Sequence, residues 1–77
     1  MSRTFQDENF YLWEAFPSTG AFGYPDGPSV VFNCLTNRML RPRYVEMPGS
    51  EPEAERALNG LSEPELLELL RKARPLA

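Results

Sequence analysis

The same four residues, Ser-Glu-Pro-Glu, occur twice in this chain, at 50–53 and at 62–65. In each copy the serine can accept a hydrogen bond from the amide three residues on, while the glutamate at that position reaches back to the serine amide. Proline suits the first helical turn because its missing N–H would have no partner there. Each copy therefore predicts a helix start, and we expect a helical hairpin of roughly 51–59 and 63–74, with Asn59-Gly60 ending the first helix in a left-handed conformation.

The residues before Pro48-Gly49 have a different composition. None of the nine aromatic residues lies after Tyr44, whereas seven of the ten leucines lie after residue 48. Aromatic and β-branched residues favour strands, and leucine, alanine and glutamate favour helices. Three strands are predicted, at 10–16, 29–36 and 39–47, with a hairpin turn at 36–38 and with Pro42 placing the third strand at a sheet edge.

Together these patterns predict an α+β fold. We expect one small domain over residues 1–77, with a β part at 1–47 and the helical hairpin at 48–77. The β part is predicted to be a three-stranded antiparallel meander, and the C-terminal helical hairpin is predicted to pack on one of its faces.

Residue counts exclude several kinds of site. The chain has no histidine and one cysteine, Cys34, which excludes imidazole-based catalysis, zinc sites built on histidine, and an intramolecular disulfide. We expect no metal and no cofactor. A free thiol, no signal-peptide pattern and no apolar run long enough to cross a bilayer predict a cytoplasmic protein that does not enter membranes.

The small size of the chain favours association. A domain of 77 residues without crosslinks has a marginal core, so self-association as a homo-oligomer or binding to a protein partner is expected. The leucine face of the last helix and the aromatics around Trp13 exceed what one small sheet and one short helix can cover, which predicts an apolar contact patch.

The segment 17–28 is the most unusual connection, because it holds three prolines and three glycines around two aromatic residues. Long connections without regular structure are often functional. Trp13, Phe22 and Tyr24 are therefore the predicted partner-binding residues. The alternative is that Phe22 and Tyr24 fold back and cap the sheet.

A second group is basic: Arg38, Arg41 and Arg43, next to Tyr44. Arginine forks bind phosphate or carboxylate, and tyrosine stacks on bases, so these four residues are candidates for an anion or nucleic-acid site. They also fit a charged edge strand, or ion pairs with the acidic helices. The formal charge of −3 disfavours nucleic acid as a partner.

The turn between the predicted helices, Leu58-Asn59-Gly60-Leu61-Ser62, resembles the helix-hairpin-helix motif, in which a Gly-hydrophobic-Gly turn presents amides to a DNA phosphate. Here Ser62 replaces the second glycine, and Glu63 and Glu65 would repel a phosphate at this helix start. We interpret the turn as structural.

Two remaining candidates are chemical. An enzyme would need Glu14, which lies within an apolar strand, or another carboxylate as its acid–base group, and Cys34 has the pattern of a packed thiol. The leading hypothesis is a non-enzymatic cytoplasmic protein–protein interaction module. The alternative is a nucleic-acid or phosphate-binding accessory protein that uses the arginine-rich strand.

Overall fold

The computed structural model describes residues 2–18, 28–47 and 49–75, and the α+β prediction with an antiparallel sheet and two helices is confirmed. In chain order the elements are β1 (Arg3–Gln6), β2 (Leu12–Ser18), β3 (Ser29–Cys34), β4 (Arg43–Glu46), α1 (Glu51–Gly60), α2 (Glu63–Lys72) and β5 (Arg74–Pro75). The sheet order is β1-β2-β3-β4-β5, and every neighbouring pair is antiparallel. The helical hairpin thus lies in the connection between two adjacent strands.

The prediction of three strands is wrong, because the sheet has five. β1 has one buried apolar residue, Phe5, and β5 is only two residues long with a proline, so neither has a strand pattern of its own. Both exist through their partners: β1 pairs with Leu12–Ala15, and β5 pairs with Arg43 and Tyr44. Pairing with a neighbour here outweighs local preference.

The predicted strand limits also shift. The strand expected at 10–16 runs from 12 to 18, the one at 29–36 ends at 34, and the one at 39–47 covers only 43–46. Pro42 therefore precedes β4, and the connection spans 35–42 rather than a tight turn at 36–38. Pro17 lies within β2 but beyond the residues that β1 pairs with, so its missing N–H removes no hydrogen bond to β1.

Both helices begin at the predicted serines. Ser62 forms a complete capping box, since its hydroxyl accepts from the Glu65 amide and the Glu65 carboxylate accepts from the Ser62 amide. The Ser50 hydroxyl accepts from the Glu53 amide, but the Glu53 carboxylate accepts from the Ser50 hydroxyl instead of its amide. The predicted left-handed stop is wrong, because α1 continues through Gly60, and Gly49 is the glycine with positive φ among the described residues.

One hydrophobic core joins the sheet and the helices. Alternation along the strands sends one set of side chains to a face we call the inner face, which holds Phe5, Trp13, Ala15, Val30, Phe32 and Cys34. These form a single buried cluster with Leu58 of α1 and with Leu66 and Leu70 of α2. Phe5 and Phe32 meet edge to face, with ring centroids 6.0 Å apart. The core therefore combines side chains of the inner face with leucines of both helices.

Arg3 connects β1 to the end of α1. Its guanidinium donates to the carbonyl oxygens of Leu58, Asn59 and Leu61 at 3.0, 3.2 and 2.8 Å. Carbonyls at a helix C-terminus lack partners within the helix and carry partial negative charge, which a cation stabilises. Arg3 thus ties the first strand to the turn between the two helices.

Candidate functional site: an apolar rim and an adjacent cavity

The β1–β2 loop is organised by Asp7. One carboxylate oxygen accepts hydrogen bonds from the backbone amides of Asn9 and Tyr11 at 2.8 and 3.0 Å. The other accepts from the Trp13 indole N–H at 2.8 Å. A single side chain therefore shapes the loop and provides the hydrogen-bond partner that the buried indole requires.

These contacts also change the acidity of Asp7. Partial burial acts to raise the pKa of this carboxyl, but it is outweighed by the hydrogen bonds from Trp13, Tyr11 and Asn9 together with the charge of Arg43. The pKa of Asp7 is lowered as a result. Asp7 is therefore ionised at neutral pH, and its charge is attracted by that of Arg43.

Phe10 has an unusual conformation at the tip of this loop. Its φ is +67°, and it is the only non-glycine residue with positive φ among those the structure describes. The left-handed region costs an L-residue about 1–2 kcal/mol. The side chain is 78% exposed, so burial does not offset this cost. Phe10 thus lowers the stability of the isolated fold through its backbone strain, and its exposed ring contributes little burial to offset this.

The large hydrophobic side chains that are exposed in the described part of the chain all belong to one end of the sheet. They are Phe10, Leu12, Leu35 and Met39, at 78%, 39%, 47% and 88% exposure, and we call them the apolar rim. The β1–β2 and β3–β4 connections leave the sheet at the same end because successive strands are antiparallel. The Leu35 amide donates to the Leu12 carbonyl at 2.8 Å, which joins the two sides of the rim.

A cavity of about 280 Å³ lies between this loop and α2. Its charged lining is Asp7, Glu8, Arg43 and Arg71, and its apolar lining includes Leu40 and Leu67. Arg71 pairs with Glu8 and with Glu68. The Arg43 guanidinium lies over the Trp13 ring, 5.6 Å from the centroid, in a cation–π contact. The cavity therefore combines a stacked cation with an apolar wall.

Of the three predicted partner-binding residues, Trp13 is described and is a core residue. Only 2% of its surface is exposed, because it lies on the inner face within the buried cluster, and it offers almost no surface to a partner. Phe22 and Tyr24 lie outside the described residues. The leucines of α2 are likewise mostly covered, since Leu66 and Leu70 are buried and Leu67 and Leu69 pack against the core.

The structure does not bring the predicted basic group together on one surface. Arg43 and Tyr44 are adjacent in β4, so their side chains point to opposite faces of the sheet. Arg43 covers Trp13, while Tyr44 is covered by Arg74, whose guanidinium lies 5.3 Å from the ring centroid. Arg38 and Arg41 are exposed in the β3–β4 connection, next to the apolar rim.

The two chemical candidates lie in ordinary packing positions. Glu14 is half-buried in β2, on the opposite face from the core, where Thr4 and Asn33 are its neighbours across the strands. Cys34 is a free thiol within the core. Neither side chain lines the cavity between the β1–β2 loop and α2, although Cys34 lines a second cavity with Leu35 and Arg38.

Sequence reasoning missed Phe10 and Met39 as surface residues. It placed both inside strands, where alternation would have given them a buried or a paired position. The polar residues before them indicate turns instead of strands. Phe10 directly follows Asp7-Glu8-Asn9, and Met39 directly follows Thr36-Asn37-Arg38; both segments have turn compositions. Asn37 indeed holds its turn, with its side-chain oxygen accepting from the Met39 amide at 3.0 Å.

Comparison of this chain with protein-family models, with curated proteins and with solved structures finds no match in any of the three. Neither helix in the described part of the chain has the length and apolar character needed to cross a membrane.

Proposed function

We propose that this protein is a small non-enzymatic protein–protein interaction module that binds a partner through the apolar rim. The observation that carries the proposal is the gathering of the exposed large hydrophobics of the described chain at one end of the sheet. Large apolar and aromatic side chains form the centres of protein interfaces, where a few anchors supply most of the binding energy. Phe10 has the size and the exposure of such an anchor.

The backbone of Phe10 supports the same proposal. A residue with positive φ at a loop tip is most stable as glycine, which has no Cβ to clash. Phenylalanine adds strain there and gains no burial within the chain. Strained positions of this kind are concentrated at functional sites. A partner that buried the ring would provide the stabilisation that the isolated fold lacks.

Charges around the rim indicate the chemistry of the partner. Arg38 and Arg41 are exposed on the β3–β4 side. On the other side, Glu8 already pairs with Arg71, and Asp7 accepts three hydrogen bonds within the loop. The surface next to the rim is therefore locally basic on a chain whose formal charge is −3. The complementary partner is a protein patch with an apolar centre and acidic residues at its border.

The test compares three forms of the protein as bait: wild type, Phe10→Gly, and Arg56→Gln as a control on the exposed surface of α1. We expect a partner that binds wild type and the control equally, and that loses at least about 30-fold in affinity with Phe10→Gly, as expected for an anchor worth 2 kcal/mol. Binding is then measured with purified components by calorimetry.

Light scattering on the same three proteins shows whether the apolar rim binds a second copy of this chain or a different protein. If wild type and Arg56→Gln form a dimer that Phe10→Gly dissolves, the rim binds a second copy instead of another protein. The proposal is wrong if wild type is monomeric and every partner recovered binds Phe10→Gly as tightly as it binds wild type.

A further inference from the structure

The cavity between the β1–β2 loop and α2 has one charged group whose hydrogen-bonding capacity is open. Asp7 accepts three N–H donors, and Arg71 pairs with two glutamates. Arg43 is half-buried at the cavity wall, and its guanidinium contacts the Trp13 ring. Among the described residues, this guanidinium has no carboxylate within ion-pair distance and no hydrogen-bond acceptor. The N–H groups of Arg43 can therefore donate to a ligand in this cavity.

The stacking of Arg43 fixes the direction in which it can donate. A guanidinium that lies over an aromatic ring keeps its five N–H groups in its own plane, free to donate to acceptors at its edges. A planar carboxylate fits this fork with two parallel hydrogen bonds. The ring of Trp13 thus holds the cation in place before any ligand arrives.

Size, charge and lining narrow the ligand class. The volume of about 280 Å³ is just below the roughly 300–1,000 Å³ of small-molecule sites, which limits the ligand to one ring or a short branched chain. Leu40 and Leu67 provide an apolar wall for such a group. Because Asp7 places a negative charge near the single open cation, a monoanion fits better than a phosphate dianion.

We propose that this cavity binds a carboxylate that carries a compact apolar group, with Arg43 holding the carboxylate and the leucine wall holding the apolar group. The ligand is either a free organic acid or the C-terminal carboxylate of a peptide that ends in an apolar residue. The inference does not depend on the apolar rim having a partner.

The experiment uses Trp13, the only tryptophan in the chain, as a fluorescent reporter beside the site. Purified protein is titrated with 3-phenylpropanoate, with the neutral 3-phenylpropanol, and with inorganic phosphate. We expect the acid to bind at least tenfold more tightly than the alcohol, and phosphate to bind more weakly than the acid. The proposal is overturned if the alcohol binds as tightly as the acid, or if no acid binds up to about 10 mM, the limit of a weak specific site.

Variants assign the binding to the proposed group. Arg43→Gln should lower the affinity for the acid at least tenfold, and Arg43→Lys should have an intermediate effect because it retains the charge but not the fork. Arg41→Gln, exposed two residues away, is the matched control and should bind like wild type. Equal losses in the Arg41 and Arg43 variants would refute the site. The comparison of acid with alcohol on wild-type protein decides the question if Arg43→Gln does not fold.

Two peptides distinguish the sources of the carboxylate. A short peptide that ends in phenylalanine is compared with the same peptide bearing a C-terminal amide. Tighter binding of the free-acid peptide than of 3-phenylpropanoate identifies a protein C-terminus as the ligand, and binding of the small acid alone identifies a free organic acid. If both peptides bind measurably and with equal affinity, the result contradicts a carboxylate site.

Discussion

Replacing Asp7 by asparagine should destabilise the fold far more than a substitution on an exposed loop normally does. The asparagine carbonyl oxygen can still accept from the amides of Asn9 and Tyr11, as Asp7 does at 2.8 and 3.0 Å. In the wild type, the Trp13 indole N–H donates to the second carboxylate oxygen of Asp7 at 2.8 Å. In the variant, the NH₂ group of asparagine takes the place of that oxygen and faces the indole N–H. Two donors would meet, and the indole of a side chain that is 98% buried would lose its partner.

The magnitude follows from that lost bond. Leaving a buried donor without a partner costs about 1–3 kcal/mol. The attraction between Asp7 and Arg43 adds little, because Asp7 is partly exposed and solvent screens the charges. We therefore expect Asp7→Asn to lower the free energy of unfolding by about 2 kcal/mol, which for a domain of this size is a fall in Tm of about 8–16 °C.

Urea unfolding followed by Trp13 fluorescence measures the effect, with Glu8→Gln as the control. Glu8 is the next residue and makes an exposed ion pair with Arg71, so its loss should cost at most about 0.5 kcal/mol. The assigned role of Asp7 is refuted if the free energies of unfolding of Asp7→Asn and wild type at pH 7 differ by less than about 0.5 kcal/mol, the size of an ordinary surface substitution.

The pH dependence gives a second check on Asp7. Because folding lowers its pKa, the stabilisation is complete above the ordinary aspartate pKa of about 3.8 and is lost as the pH falls through the lower pKa of the folded state. A protonated Asp7 carries a donor on one oxygen, as asparagine does on its nitrogen. The stability difference between wild type and Asp7→Asn should therefore be full at pH 7 and shrink below about pH 4. A difference that is constant down to pH 2 would contradict the assigned role of the carboxylate.

Three further outcomes follow from the core and the caps. Leu66→Ala, at a fully buried position, should cost about 3–4 kcal/mol in urea unfolding because it leaves a cavity between α2 and the sheet. Ser62→Ala should lower thermal stability by about 1 kcal/mol, and Ser50→Ala by less, since only Ser62 forms a complete capping box. Cys34, buried and free, should react with a thiol reagent only at the rate at which the fold opens, and prompt labelling of native protein would show that this part of the core is accessible.

The helices could be predicted from the sequence because their signals are local. The capping serines lie within a few residues of the groups they bond, so a tetrapeptide is enough to place each helix start. β1 and β5 could not be predicted in this way. Phe5 is the one buried apolar residue of β1, and β5 consists of two exposed residues, so both strands depend on distant partners. Such pairing depends on the rest of the fold and leaves little pattern in the strand itself.

The site was predicted less well than the fold, and Trp13 shows why. An aromatic residue in an alternating strand is equally compatible with a core position and with a contact surface, since alternation alone does not show which face the helices cover. The face that carries Trp13 is buried because it shares one hydrophobic cluster with Leu58, Leu66 and Leu70 of the helices. Arg43 and Tyr44 divide between the two faces for the same geometric reason.

Trp13, Leu66 and Leu70 are covered within the chain, whereas the residues of the apolar rim, which were not predicted, are exposed. Phe10 makes the point most clearly. Folding stability alone would favour a small residue at φ +67° and a polar one at 78% exposure, and phenylalanine satisfies neither preference. Local choices that conflict with the fold are expected where function requires them. Phe10→Gly should therefore separate folding stability from binding. It removes the backbone strain of the isolated chain, and it also removes the ring that we propose a partner buries.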